Sequence, residues 1–359
     1  MTGKKAAIIG FGNIAPMHVK SLATIGVQLT AVCDVREKNL QGAPRLFTDF
    51  REMLAAGEAG LFDVLHICLP HHLHAPVAIA ALERGIHVLC EKPLATTVAD
   101  ATSMINAAEK SGARLGVVFQ NRFSPGAVLI RETLQSGSLG AVRGGALRVT
   151  WYRDAEYYTA SDWRGKIATE GGGVLINQSI HTFDLMNYFL EKVNVSAPHS
   201  PDSLPFFVPT EPIPVAATIA NRTHPQIEVE DIAEGIIHYG EVPVSFFVNT
   251  YHPYDAPATI EILCENGRVQ LIGEEAEITF ADGTKKTAGP DDELRQRFGM
   301  KSYWGVSHIK LIQAFYAALE TGEKFTPDGA EGLRTQRLIN GIYDIGTYGL
   351  DTRPNGFFG

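Results

Sequence analysis

The sequence lacks long apolar runs, paired cysteines and an excess of basic residues. Without a run of about 18 apolar residues, no membrane-spanning helix is expected. The four cysteines form no CxxC pair, and three of them close apolar segments, so small core residues are expected rather than a zinc site or disulfides. The net charge of -9 argues against nucleic acid as the main partner. The cysteines are Cys33, Cys68, Cys90 and Cys264.

The N-terminus, "MTGKKAAIIGFG", also lacks the features of a secretory signal. Its apolar segment is short and no small-residue cleavage site follows, so a cytoplasmic protein is expected. With 359 residues, 45% hydrophobic and 20% charged, the composition is that of a globular protein of about two domains. We place the domains at 1–123 and 124–359, with the C-terminal helices as candidates to pack back on the first domain.

The first third of the chain alternates short apolar segments with amphipathic ones. Segments such as "AAIIG", "VQLTAVCD" and "DVLHICLP" predict strands, and "APMHVKSLATIG" and "VADATSMINAAEKSG" predict helices. This alternation is typical of βαβ units. The sequence therefore predicts an α/β N-terminal Rossmann domain with a parallel sheet, whose ligand lies outside the carboxyl ends of the strands.

The rest of the chain has a different pattern. Strand-like runs follow one another between residues 226 and 280, which predicts an α+β domain with a mostly antiparallel sheet. The segment that begins at Gly171 predicts one helix, and two further helices are expected near the C-terminus. The Pro- and Ser-rich stretch at 196–217 is interpreted as a surface excursion.

The segment "IIGFGNIA" follows the first predicted strand and opens a helix. Gly10 permits a tight turn, Gly12 lets the backbone approach a pyrophosphate, and the small Ala15 lets helix and strand pack closely. The free N–H groups of the helix N-terminus favour phosphate. A dinucleotide is therefore expected on the loop that includes Asn13 and Ile14.

Two charged residues after the second strand bear on the choice between NAD and NADP. Asp34 has the spacing of the acid that binds a ribose diol, and its charge would repel a 2′-phosphate, which favours NAD. Arg36, two residues later, would suit NADP or stack on adenine, or be an exposed charge. NAD is the prediction, with NADP possible.

The segment "LPHHLHAPVAIAALERG" contains three closely spaced histidines. Their spacing fits no usual zinc pattern, and no metal site is expected. A loop led by Pro70 that crosses the nicotinamide end of the cofactor, with His71 and His74, is the preferred interpretation.

With "CEKPLA" added to these segments and to "GGGVLINQSIH", the chain resembles the Gfo/Idh/MocA oxidoreductase family along nearly its whole length. The resemblance implies an open C-terminal sheet that builds a homodimer or homotetramer, and NAD(P)-dependent oxidation or reduction of a sugar or polyol. It places the family's active-site lysine on Lys92 and its frequent Asp-x-x-x-His pair on Asn177 and His181. The Asn departs from the more common Asp.

The chemistry expected of these residues follows from hydride transfer, which needs a proton acceptor and a group that holds the developing alkoxide. Lys92 suits the second role, and its amine near the cofactor could also carry a proton. His181 suits the first, and Asn177, four residues away on a helix, would orient the imidazole or a hydroxyl. Whether His181 or Lys92 takes the proton stays open. Glu91 is expected to anchor the loop or pair with a neighbour.

Further candidates depend on position alone. Gln120, at the end of a strand, is expected to contact the cofactor, and its neighbours to contact the substrate or to form a hydrogen-bond network. The remaining substrate candidates, each with packing as the alternative, are Asn121, Arg122, Tyr152, Trp163, Arg164 and His308.

The sequence thus predicts a cytoplasmic NAD(H)-dependent dehydrogenase or reductase that acts on a secondary alcohol or ketone of a sugar, sugar derivative or cyclic polyol. An NAD-dependent glycosidase of the same family and a non-catalytic nucleotide-sensing regulator are the alternatives.

Overall fold

The computed structural model describes residues 3–36, 44–191, 211–291 and 307–348. The chain divides into two compact units, each built from separate stretches of sequence. Of the described residues, the first unit takes those that fall within Met1–Gln120, Ala168–Gly171 and Trp304–Gln336. The second unit takes those that fall within Asn121–Ile167, Gly172–Tyr303 and Arg337–Gly359. The domain boundary that we place after residue 123 stays a prediction.

The first unit contains a six-stranded sheet among its described residues, in the order β3-β2-β1-β4-β5-β6. Every neighbouring pair is parallel, which confirms the predicted Rossmann architecture. The three-residue edge strand β3 was not expected. The strands are β1 (Lys5–Ile9), β2 (Gln28–Cys33), β3 (Arg45–Phe47), β4 (Val64–Ile67), β5 (His87–Cys90) and β6 (Leu115–Val117).

Four helices alternate with these strands: α1 (Ala15–Thr24), α2 (Phe50–Glu58), α3 (His74–Leu82) and α4 (Val98–Ser111). Strands β1, β4 and β6 are mostly apolar and buried, as expected for a parallel sheet with both faces covered. Because all six strands run in the same direction, the residues that follow them meet at one edge of the sheet. That edge holds Gly10, Asp34, Pro70, Glu91 and Gln120.

The second unit contains a nine-stranded sheet among the described residues, in the order β14-β13-β12-β11-β7-β10-β9-β8-β15. Its neighbours are antiparallel except for two parallel pairs, β7 with β10 and β8 with β15, so the predicted mostly antiparallel sheet is confirmed. The strands are β7 (Val142–Thr150), β8 (Ile213–Ala220), β9 (Ile232–Tyr239), β10 (Val242–Asn249), β11 (Thr259–Cys264), β12 (Gly267–Ile272), β13 (Glu275–Phe280), β14 (Lys285–Ala288) and β15 (Thr347–Tyr348).

Strand β8 corrects the sequence interpretation. The stretch 196–217 was expected to be a surface excursion, yet Ile213–Ala220 pairs with β9. Pro214 is accommodated because the register shifts beside it, between Pro214 and Ala216. Residues 196–210 of that stretch lie outside the described residues.

The second sheet has one buried face and one open face. Helices α5 (Pro125–Gln135) and α8 (Ile180–Leu190) contribute to the core, in which Phe183, Met186 and Phe189 are fully buried. Each such side chain stabilises the fold by roughly 1.5–3 kcal/mol. On the opposite face Ile236, with 41% of its surface exposed, aligns with Ser245 and Ala146.

Short helices α6 (Ala155–Thr159) and α7 (Ile167–Glu170) lie between β7 and α8, and two long helices, α9 (Ser307–Thr321) and α10 (Gly329–Ile345), lie near the C-terminus as predicted. In the first unit, α9 packs against α1. Within the described ranges, no helix has both the length and the apolar character that crossing a bilayer requires.

Candidate active site

The glycine turn lies between β1 and α1 in the first unit. Gly10 has φ +82°, and a Cβ there would overlap the carbonyl oxygen of Cys68. A Cβ at Gly12, in contrast, would meet nothing within 4 Å, so packing in the protein does not explain this glycine. Ile14, the residue that caps α1, has no side-chain acceptor for the helix N–H groups. This turn therefore has the open space and the donors that a pyrophosphate needs.

Asp34 lies beside this turn. Its Oδ2 accepts a hydrogen bond from Phe11 N at 2.8 Å, and its Oδ1 accepts one from Arg36 N at 2.9 Å. These bonds hold the carboxylate at the carboxyl edge of the sheet, where a ribose diol would bind. The Arg36 side chain is 82% exposed, and its Nε lies 4.0 Å from Asp34 Oδ1. Its predicted role in cofactor binding stays open.

The Pro70 loop begins with a 3₁₀ turn at His71–Leu73 and leads into α3. His71 Nδ1 lies 2.8 Å from the carbonyl oxygen of Glu170. His74 is fully buried, and its ring nitrogens lie 2.8 Å from Pro93 O and 2.9 Å from Leu69 O. Burial lowers the pKa of His74 and outweighs the two carbonyls, which raise it. His74 thus connects the loops after β4 and β5, and its direct contact with the cofactor stays a prediction.

Glu91 and Lys92 follow β5. Glu91 is buried, with its Oε1 2.9 Å from His18 Nε2 and 3.8 Å from His308 Nε2. Its Oε2 accepts a hydrogen bond from Lys92 N at 3.3 Å. Burial alone would raise the pKa of Glu91, but the His18 hydrogen bond and the nearby positive charges of His18, His308 and Lys92 lower it to about 2. Glu91 is therefore an ionised anchor for the turn that carries Lys92.

Gln120 follows β6 at the same edge. It is 5% exposed, and its Oε1 accepts no hydrogen bond from any residue that the structure describes. A buried amide oxygen without a donor costs about 1–3 kcal/mol unless a ligand or water supplies one. This oxygen and the open Gly12 turn fit a bound dinucleotide.

In the second unit, the segment after Gly171 is held by Glu230. The buried Glu230 carboxylate accepts hydrogen bonds from Gly173 N at 2.9 Å, Leu175 N at 3.0 Å and Tyr343 Oη at 2.8 Å. Burial raises the pKa of Glu230 despite these bonds. A Cβ at Gly173 would overlap the Glu230 carbonyl oxygen, so this glycine does admit a close backbone approach.

The prediction of one regular helix after Gly171 is wrong. Val174–Gln178 form a π-helical turn, and α8 starts only at Ile180. Ser179 Oγ donates to Val174 O at 2.7 Å and Leu175 O at 3.1 Å, which stabilises the wide turn. The four-residue spacing of an α-helix therefore does not set the directions of Asn177 and His181. Such turns occur frequently at functional sites.

Tyr157 is a candidate that the sequence interpretation missed. Its hydroxyl accepts hydrogen bonds from Asn177 Nδ2 at 3.4 Å and Gln178 Nε2 at 3.3 Å. Arg164 stacks on its ring, with the guanidinium carbon 4.5 Å from the ring centre. The only signal for Tyr157 in the sequence is an aromatic pair close to Asp154, the residue that caps α6. Asp154 Oδ1 accepts a hydrogen bond from Tyr157 N.

Arg164 lies between two aromatic rings, since its guanidinium is also 5.0 Å from the Trp163 ring centre. Its Nε is buried and has no hydrogen-bond acceptor among the residues that the structure describes. The second unit thus brings Tyr157, Asn177 and Arg164 together. Contact of Asn177 and Arg164 with the substrate stays a prediction, and contact of Tyr157 with the substrate is a proposal.

Other predicted substrate residues have different surroundings. Arg122 is buried and binds Asp184 through two bonds, Nε to Oδ2 at 2.8 Å and Nη2 to Oδ1 at 2.6 Å, as in a structural ion pair. Its neighbour Asn121 is half-buried. Tyr152 is 50% exposed and lies outside the Tyr157 cluster, with its N–H bound to Asp255. These three roles stay predictions, as does that of His308, which faces Glu91 in the first unit.

Comparison with known proteins identifies the chain's relatives. Residues 4–119 match the family model described as "Oxidoreductase family, NAD-binding Rossmann fold", and residues 128–270 match "GFO/IDH/MocA C-terminal domain". An inositol 2-dehydrogenase of Salmonella typhimurium is 27% identical over 74% of this chain and 73% of its own. A glucose-6-phosphate 3-dehydrogenase of Bacillus subtilis is 26% identical over 95% of this chain and 96% of its own.

A solved structure is also similar to nearly the whole chain. The WlbA dehydrogenase from Bordetella pertussis, in complex with NADH and UDP-GlcNAcA, superimposes with a TM-score of 0.76 at 27% identity. The match covers 95% of this chain and 96% of that one.

Proposed function

The chain belongs to the GFO/IDH/MocA oxidoreductase family and has an NAD-binding Rossmann domain, and from this premise we propose that it transfers a hydride between NAD and a ring carbon of a sugar, sugar derivative or cyclic polyol. The names of its relatives support this class, since they act on inositol and glucose 6-phosphate. One of these compounds is neutral and the other anionic, so the substrate screen includes both kinds.

The first unit binds the cofactor. The N–H groups after Gly10 and at the start of α1 receive the pyrophosphate, and Asp34 receives the adenine-side ribose diol. Asp34 is already oriented by Phe11 N and Arg36 N, so little ordering is needed on binding. When bound, NAD supplies the hydride acceptor. The negative charge of Asp34 favours NAD over NADP.

Lys92 and His181 handle the proton and the alkoxide charge. Lys92 lies at the same edge of the parallel sheet as the Gly10 turn and Asp34, where the reactive end of a dinucleotide is expected. Its ammonium stabilises the developing alkoxide, and the His181 imidazole accepts the hydroxyl proton in oxidation or returns it in reduction.

Tyr157 and Asn177 position the substrate in the second unit. Because the Tyr157 oxygen already accepts two amide hydrogens, its own O–H is directed to another acceptor, such as a sugar oxygen. Its ring and that of Trp163 offer faces for sugar C–H groups, and Arg164 Nε offers a donor. Asn177 orients the Tyr157 hydroxyl in place of a carboxylate.

The position of Lys92 on the cofactor edge is the observation that carries the proposal. A panel of inositols, glucosides, sugar phosphates and nucleotide sugars, assayed with NAD and with NADP through the absorbance of the reduced nicotinamide, tests it. Reduction of NAD by at least one sugar or polyol, lost in Lys92→Ala, is expected. Release of free sugar with NAD retained would instead identify a glycosidase, and tight NADH binding without turnover of any compound would identify a regulator.

We further propose a cytoplasmic homodimer or homotetramer, and the open face of the second sheet, which includes Ile236 and Ser245, supports the assembly. An exposed face with apolar side chains is typical of a surface that another chain covers. Ile236→Glu places a charge in that face and should yield monomers, as measured by sedimentation. A wild-type monomer under the same conditions would exclude the assembly.

A further inference from the structure

A chain of buried polar groups runs through the first unit to the turn that carries Lys92. Tyr316 Oη lies 3.0 Å from His66 Nε2, His66 Nδ1 lies 2.8 Å from His18 Nδ1, and His18 Nε2 lies 2.9 Å from Glu91 Oε1. His18 and His66 are fully buried and Tyr316 is 1% exposed. The four groups come from α9, β4, α1 and the residue after β5, so only the tertiary fold brings them together.

Apolar side chains would fill this space at lower cost. A buried hydroxyl or imidazole must recover its lost hydration through hydrogen bonds, and one unmade bond costs about 1–3 kcal/mol. Here each ring nitrogen of His18 and His66 has a hydrogen-bond partner within 3.0 Å. Tyr316, His66 and His18 therefore form a hydrogen-bonded network that ends on the Glu91 carboxylate.

The protons of this network can be assigned consistently. His18 donates from Nε2 to the Glu91 carboxylate and from Nδ1 to His66 Nδ1, and His66 donates from Nε2 to the Tyr316 oxygen. Burial and the charge of His18 lower the pKa of His66, which keeps its ring neutral. Burial raises the pKa of Tyr316, which keeps its hydroxyl protonated. In this arrangement both N–H groups of His18 have an acceptor, and one of them is the Glu91 carboxylate.

The Glu91 carboxylate connects this network to Lys92. While Oε1 faces His18, Oε2 accepts the Lys92 backbone N–H. A carboxylate free to rotate would not hold both bonds at once. The ionised group also favours the ammonium form of Lys92 by its charge.

We propose that His18, His66 and Tyr316 are positioning residues that act through Glu91 on Lys92. They fix the Glu91 carboxylate, and the carboxylate fixes the backbone of Lys92 and the charge of its amine. The inference rests on the proposed function only in giving Lys92 a role in turnover. Several ionisable groups interact with Glu91: His18 from α1, His74 from α3, His308 from α9, Lys92 itself, and the thiols Cys68 after β4 and Cys90 at the end of β5.

The direct test measures the protonation of the Lys92 amine without any substrate. The full-length protein is labelled with a trace of acetic anhydride over a range of pH, and the Lys92 peptide is quantified by mass spectrometry with the exposed Lys110 as internal reference. Glu91→Gln should move the labelling midpoint of Lys92 to lower pH by about one unit and leave that of Lys110 unchanged. An unchanged Lys92 midpoint would overturn the inference.

The second test separates positioning from packing. His66→Leu should lower kcat about ten- to hundredfold without changing the Kd for NADH, because a misplaced catalytic group costs rate rather than cofactor affinity. His66→Asn keeps a polar atom near the position of Nδ1 for His18 and should restore most of the rate. Equal losses in both variants, or losses confined to NADH binding, would contradict the proposal.

If His66→Leu fails to fold, Tyr316→Phe removes one hydroxyl only. Its matched control is Tyr239→Phe, which removes a buried hydroxyl that donates to Asn187 Oδ1 at 2.7 Å in the second unit. Only Tyr316→Phe should shift the Lys92 midpoint, and equal behaviour of the two variants would overturn the inference. A shifted midpoint with normal turnover in Lys92→Ala would uphold the network while refuting the role of Lys92 in the reaction.

Discussion

Buried histidines in the two units show opposite changes in acidity. In the first unit, burial and the charge of His18 lower the pKa of His66, and burial lowers that of His74 although it faces two carbonyls. In the second unit, His224 Nδ1 lies 2.9 Å from Asp231 Oδ2 and its Nε2 lies 2.7 Å from Arg153 O. Burial alone would lower the pKa of His224, but these partners raise it.

The difference lies in the charge of the partner. His66 is hydrogen-bonded to an imidazole and a phenol, so it stays neutral and serves as a directional link. His224 faces the Asp231 carboxylate. Burial alone would raise the pKa of Asp231, but His224 and the N–H groups of Arg222 and Thr223 favour the ionised form and lower it. The first unit therefore uses the neutral His66 to orient, through His18, an anion that His66 does not contact, and the second unit uses His224 to contact an anion directly.

The largest effect is expected at Lys92, to which the first unit's network leads. Lys92→Ala should lower turnover by about 10²–10⁴-fold, because the amine that stabilises the alkoxide is lost, while NADH binding stays unchanged. Steady-state kinetics and NADH titration measure the two quantities. Lys110→Ala, at an exposed position, is the control. Normal turnover in Lys92→Ala would remove the functional end of the network.

Two glycines of the cofactor turn should separate stability from affinity. Gly12→Ala should fold normally, because its Cβ meets no protein atom, but should bind NADH about ten- to hundredfold more weakly since the pyrophosphate needs that space. Gly10→Ala should lower the urea midpoint, because its positive φ and the Cys68 carbonyl oppose a side chain. Both changes are read by fluorescence titration and urea unfolding, and unchanged affinity in Gly12→Ala would place the pyrophosphate elsewhere.

A smaller effect is expected at Asp34. Asp34→Ala should weaken NADH binding about tenfold and reduce the preference over NADPH, since both the diol acceptor and the repulsion of the 2′-phosphate disappear. Parallel titrations with the two nucleotides measure the ratio. A preference equal to that of the wild type would show that Asp34 does not contact the ribose.

The pH dependence of stability tests the contrast between the units most finely. In the folded protein the His66 ring stays neutral, whereas in the unfolded chain it binds a proton below about pH 6.5. His66 therefore makes the free energy of unfolding fall as the pH drops below that value. His224 has a raised pKa, so its contribution is complete below about pH 6.5 and is lost as the pH rises through the folded-state pKa.

Urea unfolding between about pH 5 and 8 therefore gives opposite expectations for two variants. His66→Gln should flatten the loss of stability on the acidic side, and His224→Gln should flatten the loss on the alkaline side. The slopes should change by at most about 1.4 kcal/mol per pH unit for one titrating group. Changes of the same sign in both variants would refute the contrast.

The sequence predicted the first unit's architecture because its signals are local. Apolar strands alternating with amphipathic helices, and a glycine turn with Asp34 at the next strand end, are all short-range patterns. Strand β3 (Arg45–Phe47) was not predicted because three residues are too few to show a periodic pattern of apolar side chains.

The second unit was less predictable because its decisive contacts are distant in sequence. The π-helical turn at Val174–Gln178 depends on Glu230, which lies more than fifty residues away, and on a Ser179 hydroxyl that a helix would also tolerate. Strand β8 was obscured by its proline. In the same way, His18 and His66 each resemble an isolated polar residue in an apolar segment until the fold joins them to Glu91.

The transfer of a deuterium label tests the central claim most directly. A polyol or sugar that reduces NAD in the screen is supplied with deuterium on its ring carbons, and the nicotinamide product is analysed by mass spectrometry. The proposed reaction predicts NADH that contains one deuterium atom from the substrate carbon. Consumption of the sugar with no label in the nicotinamide, or with the label released to water, would contradict hydride transfer by this protein.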